Sequence, residues 1–181
     1  MKFALPFFLL FVFALSSNAT FGQKRDKFHI PAGQGDLEMV KKAVKKGAKI
    51  DKKDIAGQTA LIYAADGGQL EVVKYLVSQG ADVNASSGKH GRGTALIYAA
   101  ANNHTEIVSF LLENGANINA VTPYQKETAI LWATAMGHKE MVELLLEKGA
   151  DPHIEARYGE DAIDTAKKVN RADILTILQG A

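Results

Sequence analysis

The heptapeptide TALIYAA occupies residues 59–65 and again residues 94–100, and the related TAILWAT occupies residues 128–134. Each copy is followed by a second apolar segment that ends in Gly-Ala. The Thr that opens each copy precedes that Gly by 21 residues in all three cases, whereas the distance from a Gly to the next unit varies between 12 and 14 residues. A constant module that alternates with a variable loop predicts a solenoid, because insertions fall in loops and not in stacked helices.

Two helices are predicted in each module. The residues expected to cap the first helix, all of types whose side-chain oxygen accepts a hydrogen bond from a free backbone N–H, are Asp26, Thr59, Thr94, Thr128 and Asp161. The second helix repeats an apolar stripe with the spacing of one helical face, namely Val72, Val73, Leu76 and Val77, then Ile107, Val108, Leu111 and Leu112, then Met141, Val142, Leu145 and Leu146. We expect Gly80, Gly115 and Gly149 to end these helices in a left-handed conformation.

The pattern G-x-T-A-L-x-x-A-A, a turn, E-V-V-x-x-L and G-A-D-V-N resembles the ankyrin repeat over roughly residues 24–181. The resemblance implies an all-α solenoid of about five helix-turn-helix units, with three full repeats between two degenerate caps. The units are approximately 24–54, 55–88, 89–122, 123–155 and 156–181.

The chain departs from the family's usual T-P-L-H motif. Ala replaces the Pro of that motif in the three full repeats, and Ile62, Ile97 and Leu131 replace the His, so an apolar contact is expected where the His usually makes a hydrogen bond. Pro31 falls inside the first predicted helix and should shorten or kink it.

The N-terminus has the features of a secretory signal peptide. Lys2 precedes an apolar run of 13 residues, from Phe3 to Leu15, which is too short to span a bilayer comfortably. Small residues at Ser17 and Ala19 predict cleavage after Ala19, with Gly22 as a second position. We therefore predict a signal peptide at residues 1–19, a mature domain at residues 20–181 and a periplasmic location; an uncleaved anchor is the alternative.

The composition excludes several classes of protein. The chain has 181 residues, of which 47% are hydrophobic and 23% charged, as in an ordinary globular protein. It contains no Cys, so a disulfide, a thiolate nucleophile and a Cys-based zinc site are excluded. Its net charge of +1 argues against a general nucleic-acid binder.

Charge is divided unevenly along the chain. Residues 23–54 carry ten Lys or Arg and five Asp or Glu, a net charge of +5, and residues 55–181 carry ten and fifteen, a net charge of −5. The basic stretch is interpreted either as a solubilising end cap or as a patch for an acidic partner or an anionic polymer. It lacks interleaved aromatic residues and so is a poor nucleic-acid site.

The sequence predicts no catalytic residue, no metal site and no cofactor. Gly-x-Ser-x-Gly, HExxH, P-loop and dinucleotide motifs are all absent. His104 and His138 share one repeat position at the turn between helices, and His153 aligns with Asn84 and Asn119, so turn roles are expected for all three. The basic, Gly-rich stretch at residues 88–93 is interpreted as an extended loop.

Three aromatic residues recur at one repeat position, and two interpretations of them stay open. Tyr63, Tyr98 and Trp132 either fill grooves between neighbouring helices or form a ladder that anchors a partner on the concave face. The resemblance implies that the inner helices and the loops beside them, called fingers, bind proteins. The full set of predicted partner-binding residues is Tyr63, Tyr98, Trp132, Asn102, Met136, His90, Arg92, Tyr124 and Gln125.

These observations favour a non-enzymatic module that binds one folded protein and is monomeric when free. An inhibitor or immunity protein of a co-exported enzyme, such as a cell-wall peptidase, is the sharper expectation. A structural scaffold, or an accessory protein in envelope or oxidative stress, is the alternative. Neither nucleic acid nor, after signal cleavage, a membrane is expected as a partner.

Overall fold

The computed structural model describes residues 27–88, 91 and 93–180, and this part of the chain contains ten α-helices and no strand. The predicted signal peptide lies outside it. The helices are α1 (His29–Gln34), α2 (Leu37–Lys45), α3 (Ala60–Asp66), α4 (Leu70–Ser78), α5 (Ala95–Ala101), α6 (Thr105–Glu113), α7 (Ala129–Met136), α8 (Lys139–Glu147), α9 (Ala162–Lys168) and α10 (Ala172–Gln179).

The helices form five antiparallel pairs stacked in chain order. The odd-numbered, inner helices pack each against the next, from α1 to α9, and the even-numbered, outer helices lie behind their partners. This arrangement confirms the all-α solenoid predicted from the repeat. The exact limits of the five units stay a prediction.

The core lies between the two layers of helices. In each full repeat the first three residues of the predicted stripe are buried, as in Ile107, Val108 and Leu111. The fourth, such as Leu112, is only half-buried. Gly80, Gly115 and Gly149 end the outer helices with φ between +84° and +89°, as predicted. Ile62, Ile97 and Leu131 are buried, so the expected apolar contact replaces the usual His.

The helix caps agree with the sequence in three repeats and differ in two. The side chains of Thr59, Thr128 and Asp161 accept hydrogen bonds from backbone N–H groups as predicted. Thr94 occupies the same position, but its hydroxyl makes no capping bond, and nothing in the structure explains the difference. The first inner helix has Phe28 at its N-cap in place of the predicted Asp26, and no side chain caps it; Asp26 itself lies outside the described residues.

The first helix is shorter than its counterparts, as Pro31 predicted. Helix α1 has six residues and begins at His29, so Pro31 lies in the first turn, where its missing N–H removes no intrahelical bond. His29 lies at the position of Ile62 and Ile97 and restores the motif's usual His, a match that the sequence analysis missed. Its Nε2 donates a hydrogen bond to the main-chain oxygen of Lys52 at 2.7 Å.

Side-chain oxygens link successive units on the loop that follows each outer helix. Asp51 Oδ1 accepts from the backbone N–H of Asp82 at 3.0 Å, and Asn84 Oδ1 accepts from that of Asn117 at 2.8 Å. Asn119 repeats the bond to the next unit at 3.0 Å. The bonds cross three successive junctions between units and so help to hold the stack together.

None of the helices in the described part of the chain combines the length and the apolarity needed to cross a membrane.

Candidate functional site

Four fingers project before the inner helices, and each is closed by a backbone hydrogen bond across its base. Finger 1 comprises residues 54–58, finger 2 residues 87–93, finger 3 residues 122–127 and finger 4 residues 156–160. The closing N···O distances are 2.9 Å, 2.8 Å, 2.9 Å and 2.9 Å in that order. Gly57, Lys126 and Gly159 turn the chain with φ of +78°, +57° and +77°. Fingers 1, 3 and 4 are therefore defined turns that present their tips in a fixed conformation.

Neighbouring fingers contact one another. A Cβ atom on Gly57 would clash with the backbone nitrogen of Gly88, so fingers 1 and 2 pack backbone to backbone. The N–H of Arg157 donates to the main-chain oxygen of Gln125 at 2.7 Å. The Arg157 guanidinium also lies over the Tyr124 ring, 4.3 Å from its centroid. A surface held in this way loses little conformational entropy when it binds.

The finger tips expose large apolar side chains. Ile55 in finger 1 is 94% exposed, Tyr158 in finger 4 is 77% exposed and Tyr124 in finger 3 is 54% exposed. Isolated exposed hydrophobic residues are common on protein surfaces. Tyr124 and Tyr158 differ from that case because they lie on fingers 3 and 4, which contact each other. Ile55 lies on finger 1, which is braced against finger 2. Tyr and large aliphatic groups on a rigid surface supply binding energy when a partner covers them.

The aromatic row of the inner helices is largely packed. Tyr98 is only 6% exposed, and its hydroxyl accepts a hydrogen bond from Gln58 Nε2 in finger 1. The Tyr63 hydroxyl donates to Asp54 Oδ2, also in finger 1, at 2.8 Å. Trp132 is half-buried against the core. The two tyrosines thus brace finger 1, and the packing interpretation describes Tyr98 better than the exposed ladder does.

The other predicted binding residues have different surroundings. Asn102 is exposed at the end of α5, where its Nδ2 donates to Asp66 Oδ1 of the preceding unit at 2.8 Å. Met136 is half-buried at the end of α7. Gln125 engages Arg157 through its main chain, whereas its side chain is half-buried. His90 and Arg92 lie outside the described residues. A binding role for any of these residues stays a prediction.

Two exposed finger residues, Ile55 and Tyr158, were missed by the sequence analysis. A signal was available for the first. Ile55, His90, Tyr124 and Arg157 each lie four residues before the cap of the following inner helix. The residue type at this register differs from finger to finger, and Tyr158 follows one residue later in finger 4. This finger position is not apolar in every repeat unit, so the repeat pattern does not identify the exposed residues as a set.

The histidines at the helix turns have structural roles, as the sequence predicted. His104 Nε2 donates to the main-chain oxygen of Asp66 at 3.2 Å, and His138 Nε2 donates to that of Ala101 at 3.1 Å. Both bonds cross from one unit to the preceding one. Within the described ranges, no group of three or more His, Asp or Glu side chains is placed to hold a metal ion.

Comparison with known proteins identifies the repeat. A family model described as ankyrin repeats, in three copies, matches residues 12–87, 28–122 and 87–156. The family includes non-enzymatic protein-binding modules.

Individual relatives match only part of the chain. A human protein phosphatase 1 regulatory subunit is 45% identical over 53 residues, which are 29% of this chain and 34% of that protein. A probable E3 ubiquitin-protein ligase of Oryza sativa subsp. japonica is 38% identical over 64 residues, 35% of this chain and 12% of the ligase. A palmitoyltransferase of Naumovozyma castellii is 41% identical over 63 residues, 34% of this chain and 8% of that protein. The chain therefore spans about a third or less of the length of these relatives, and all three relatives are eukaryotic.

Proposed function

The chain belongs to the ankyrin repeat family, and on that premise we propose that it is a non-enzymatic module that binds one folded protein through its finger tips. The observation that carries the proposal is the exposure of Ile55, Tyr124 and Tyr158 on fingers that are each braced by a neighbouring finger. Tyr is enriched among residues that dominate binding energy, and prior bracing lowers the entropy lost on association.

The partner is proposed to be a co-exported enzyme, such as a cell-wall hydrolase, which the module inhibits. The predicted signal peptide supports export. The rigid fingers suit an inhibitor, because a preformed projecting surface can cover the mouth of an active site without refolding. The scaffold role differs in that it requires a second surface for another partner.

Site-specific photocrosslinking tests the proposed surface. A photoreactive amino acid at Tyr158 or Ile55 is expected to yield one discrete covalent adduct in cells of the source organism, and mass spectrometry identifies the partner. The matched control carries the same group at Gln79, which is exposed at the end of the outer helix α4. Adducts from Gln79 alone would overturn the finger-tip proposal. A hydrolase assay on the captured partner, with and without the module, then separates inhibition from scaffolding.

The periplasmic location has its own test. We expect the exported protein to begin at Thr20, because the small residues Ser17 and Ala19 fit the cleavage rule. The intact mass of the protein recovered outside the cytoplasm is expected to correspond to a chain without residues 1–19. A mass that retains them contradicts the cleaved form and favours the anchored alternative.

A further inference from the structure

A second surface lies at the N-terminal end of the stack, on α2 and the loop that follows it. We define the basic end as Lys42, Lys45, Lys46, Lys49, Lys52 and Lys53. All six side chains are exposed, and none makes an ion pair with another residue in the described ranges. By contrast, Lys74, Lys139, Lys167 and Lys168 each lie within 4.0 Å of a carboxylate.

The fold does not require this concentration of charge. Lys42 and Lys45 lie in the last turn of α2, where they interact favourably with the helix dipole. Lys46, Lys49, Lys52 and Lys53 follow the helix, and Asp51 and Asp54 in the same stretch offset only part of their positive charge. The helix dipole accounts for two of the six charges at most, and an anionic ligand explains the concentration of the others better than the fold does.

The composition of the basic end distinguishes it from the finger tips. Protein interfaces are enriched in aromatic residues and Arg and depleted in Lys. Within residues 27–53 the structure shows no exposed aromatic side chain, and there is no Arg in that range. Stacking platforms for nucleic-acid bases are therefore missing from it as well. Lysine is a compact, hydrated charge that suits mobile headgroups better than a rigid bidentate site.

From this charge pattern we propose that the basic end docks the protein on an anionic phospholipid surface. Clusters of four to eight basic residues are sufficient for such binding. The electrostatic attraction between the cluster and the surface falls off within a Debye length. Exposed Met39 on α2 adds an apolar contact at the same end. The remainder of the chain, residues 55–181, has a net charge of −5, so repulsion from the same surface orients the molecule. This proposal departs from the expectation that the mature chain has no membrane partner, and it does not depend on the identity of the protein partner.

Vesicle co-sedimentation of the full chain tests the proposal. Phosphatidylcholine vesicles with and without phosphatidylglycerol are compared, so that any contribution of the apolar N-terminal run appears in both. Affinity for the anionic vesicles is expected to exceed that for the neutral ones and to be lost in high salt. The combined changes Lys42→Gln, Lys45→Gln and Lys46→Gln are expected to lower it by roughly a hundredfold.

The control variant carries Lys74→Gln, Lys139→Gln and Lys148→Gln, which alter the net charge by the same amount in or directly after the outer helices α4 and α8. It is expected to bind anionic vesicles nearly as well as the unchanged protein. The unfolding midpoints of both variants should shift only slightly, because exposed ion pairs and single charges near a helix end contribute little to stability. Equal loss in the two variants would show that net charge alone acts and would overturn the proposal. Tighter binding to duplex DNA than to anionic vesicles would also overturn it.

Discussion

Replacing Leu111 with Ala is expected to lower the free energy of unfolding by about 2–5 kcal/mol. Leu111 has no exposed surface and lies in α6, the outer helix of the central unit. Truncation removes apolar contacts and leaves a cavity that helices on both sides cannot fill without shifting. Because each unit of a solenoid is stabilised by its neighbours, the loss weakens the central unit and both of its interfaces. Denaturant titration followed by circular dichroism measures the change.

Leu112 provides the matched control, since it is the next residue of the same helix and is only half-buried. Leu112→Ala makes the same chemical change and should cost clearly less, because less surface returns to water and less space is left empty. Equal losses for the two variants, or a loss below about 1 kcal/mol for Leu111→Ala, would contradict the assigned orientation of α6.

The two layers of helices could be predicted because the sequence of every repeat satisfies the same physical constraints. A stripe such as Ile107, Val108 and Leu111 recurs three times, and any wrong period would fail to align between copies. Local departures were less predictable. The sequence placed the first cap at Asp26, whereas α1 begins at His29, because Pro31 is best accommodated in a first turn.

The candidate site was harder to predict than the fold. The repeat shows that Tyr63, Tyr98 and Trp132 share one position, but exposure depends on the local neighbours. Tyr98 is covered and bonded to Gln58, a residue 40 positions earlier in the chain. Ile55 and Tyr158 are exposed because their fingers project from the stack of helices. The period of the sequence repeat does not show whether a loop projects in this way. The sequence therefore indicated the binding edge and not the side chains that it exposes.

Tyr158→Ala is expected to weaken binding of the crosslinked partner by about 2 kcal/mol or more, which is roughly a thirtyfold rise in Kd. Its side chain is 77% exposed in the free protein, so truncation should leave the unfolding midpoint unchanged. Tyr98→Ala should act mainly on folding, because it removes a buried aromatic ring at a cost of about 3–5 kcal/mol of folding free energy. It also removes the bond that braces finger 1, so affinity per folded molecule should fall, but by less than in Tyr158→Ala. Titration calorimetry and thermal unfolding of both variants measure the two quantities.

Trp132→Ala decides whether the inner helices also contribute to binding. Trp132 is half-buried against the core, so the ladder and packing interpretations make different predictions for it. If it only packs, the unfolding midpoint falls and affinity per folded molecule stays constant. If it also anchors the partner, affinity falls by about 2 kcal/mol in addition. Unchanged affinity in Trp132→Ala together with a loss in Tyr158→Ala would confine the binding surface to the finger tips. Unchanged affinity in both variants would overturn the proposed surface, because the concave face and the fingers would then both be excluded.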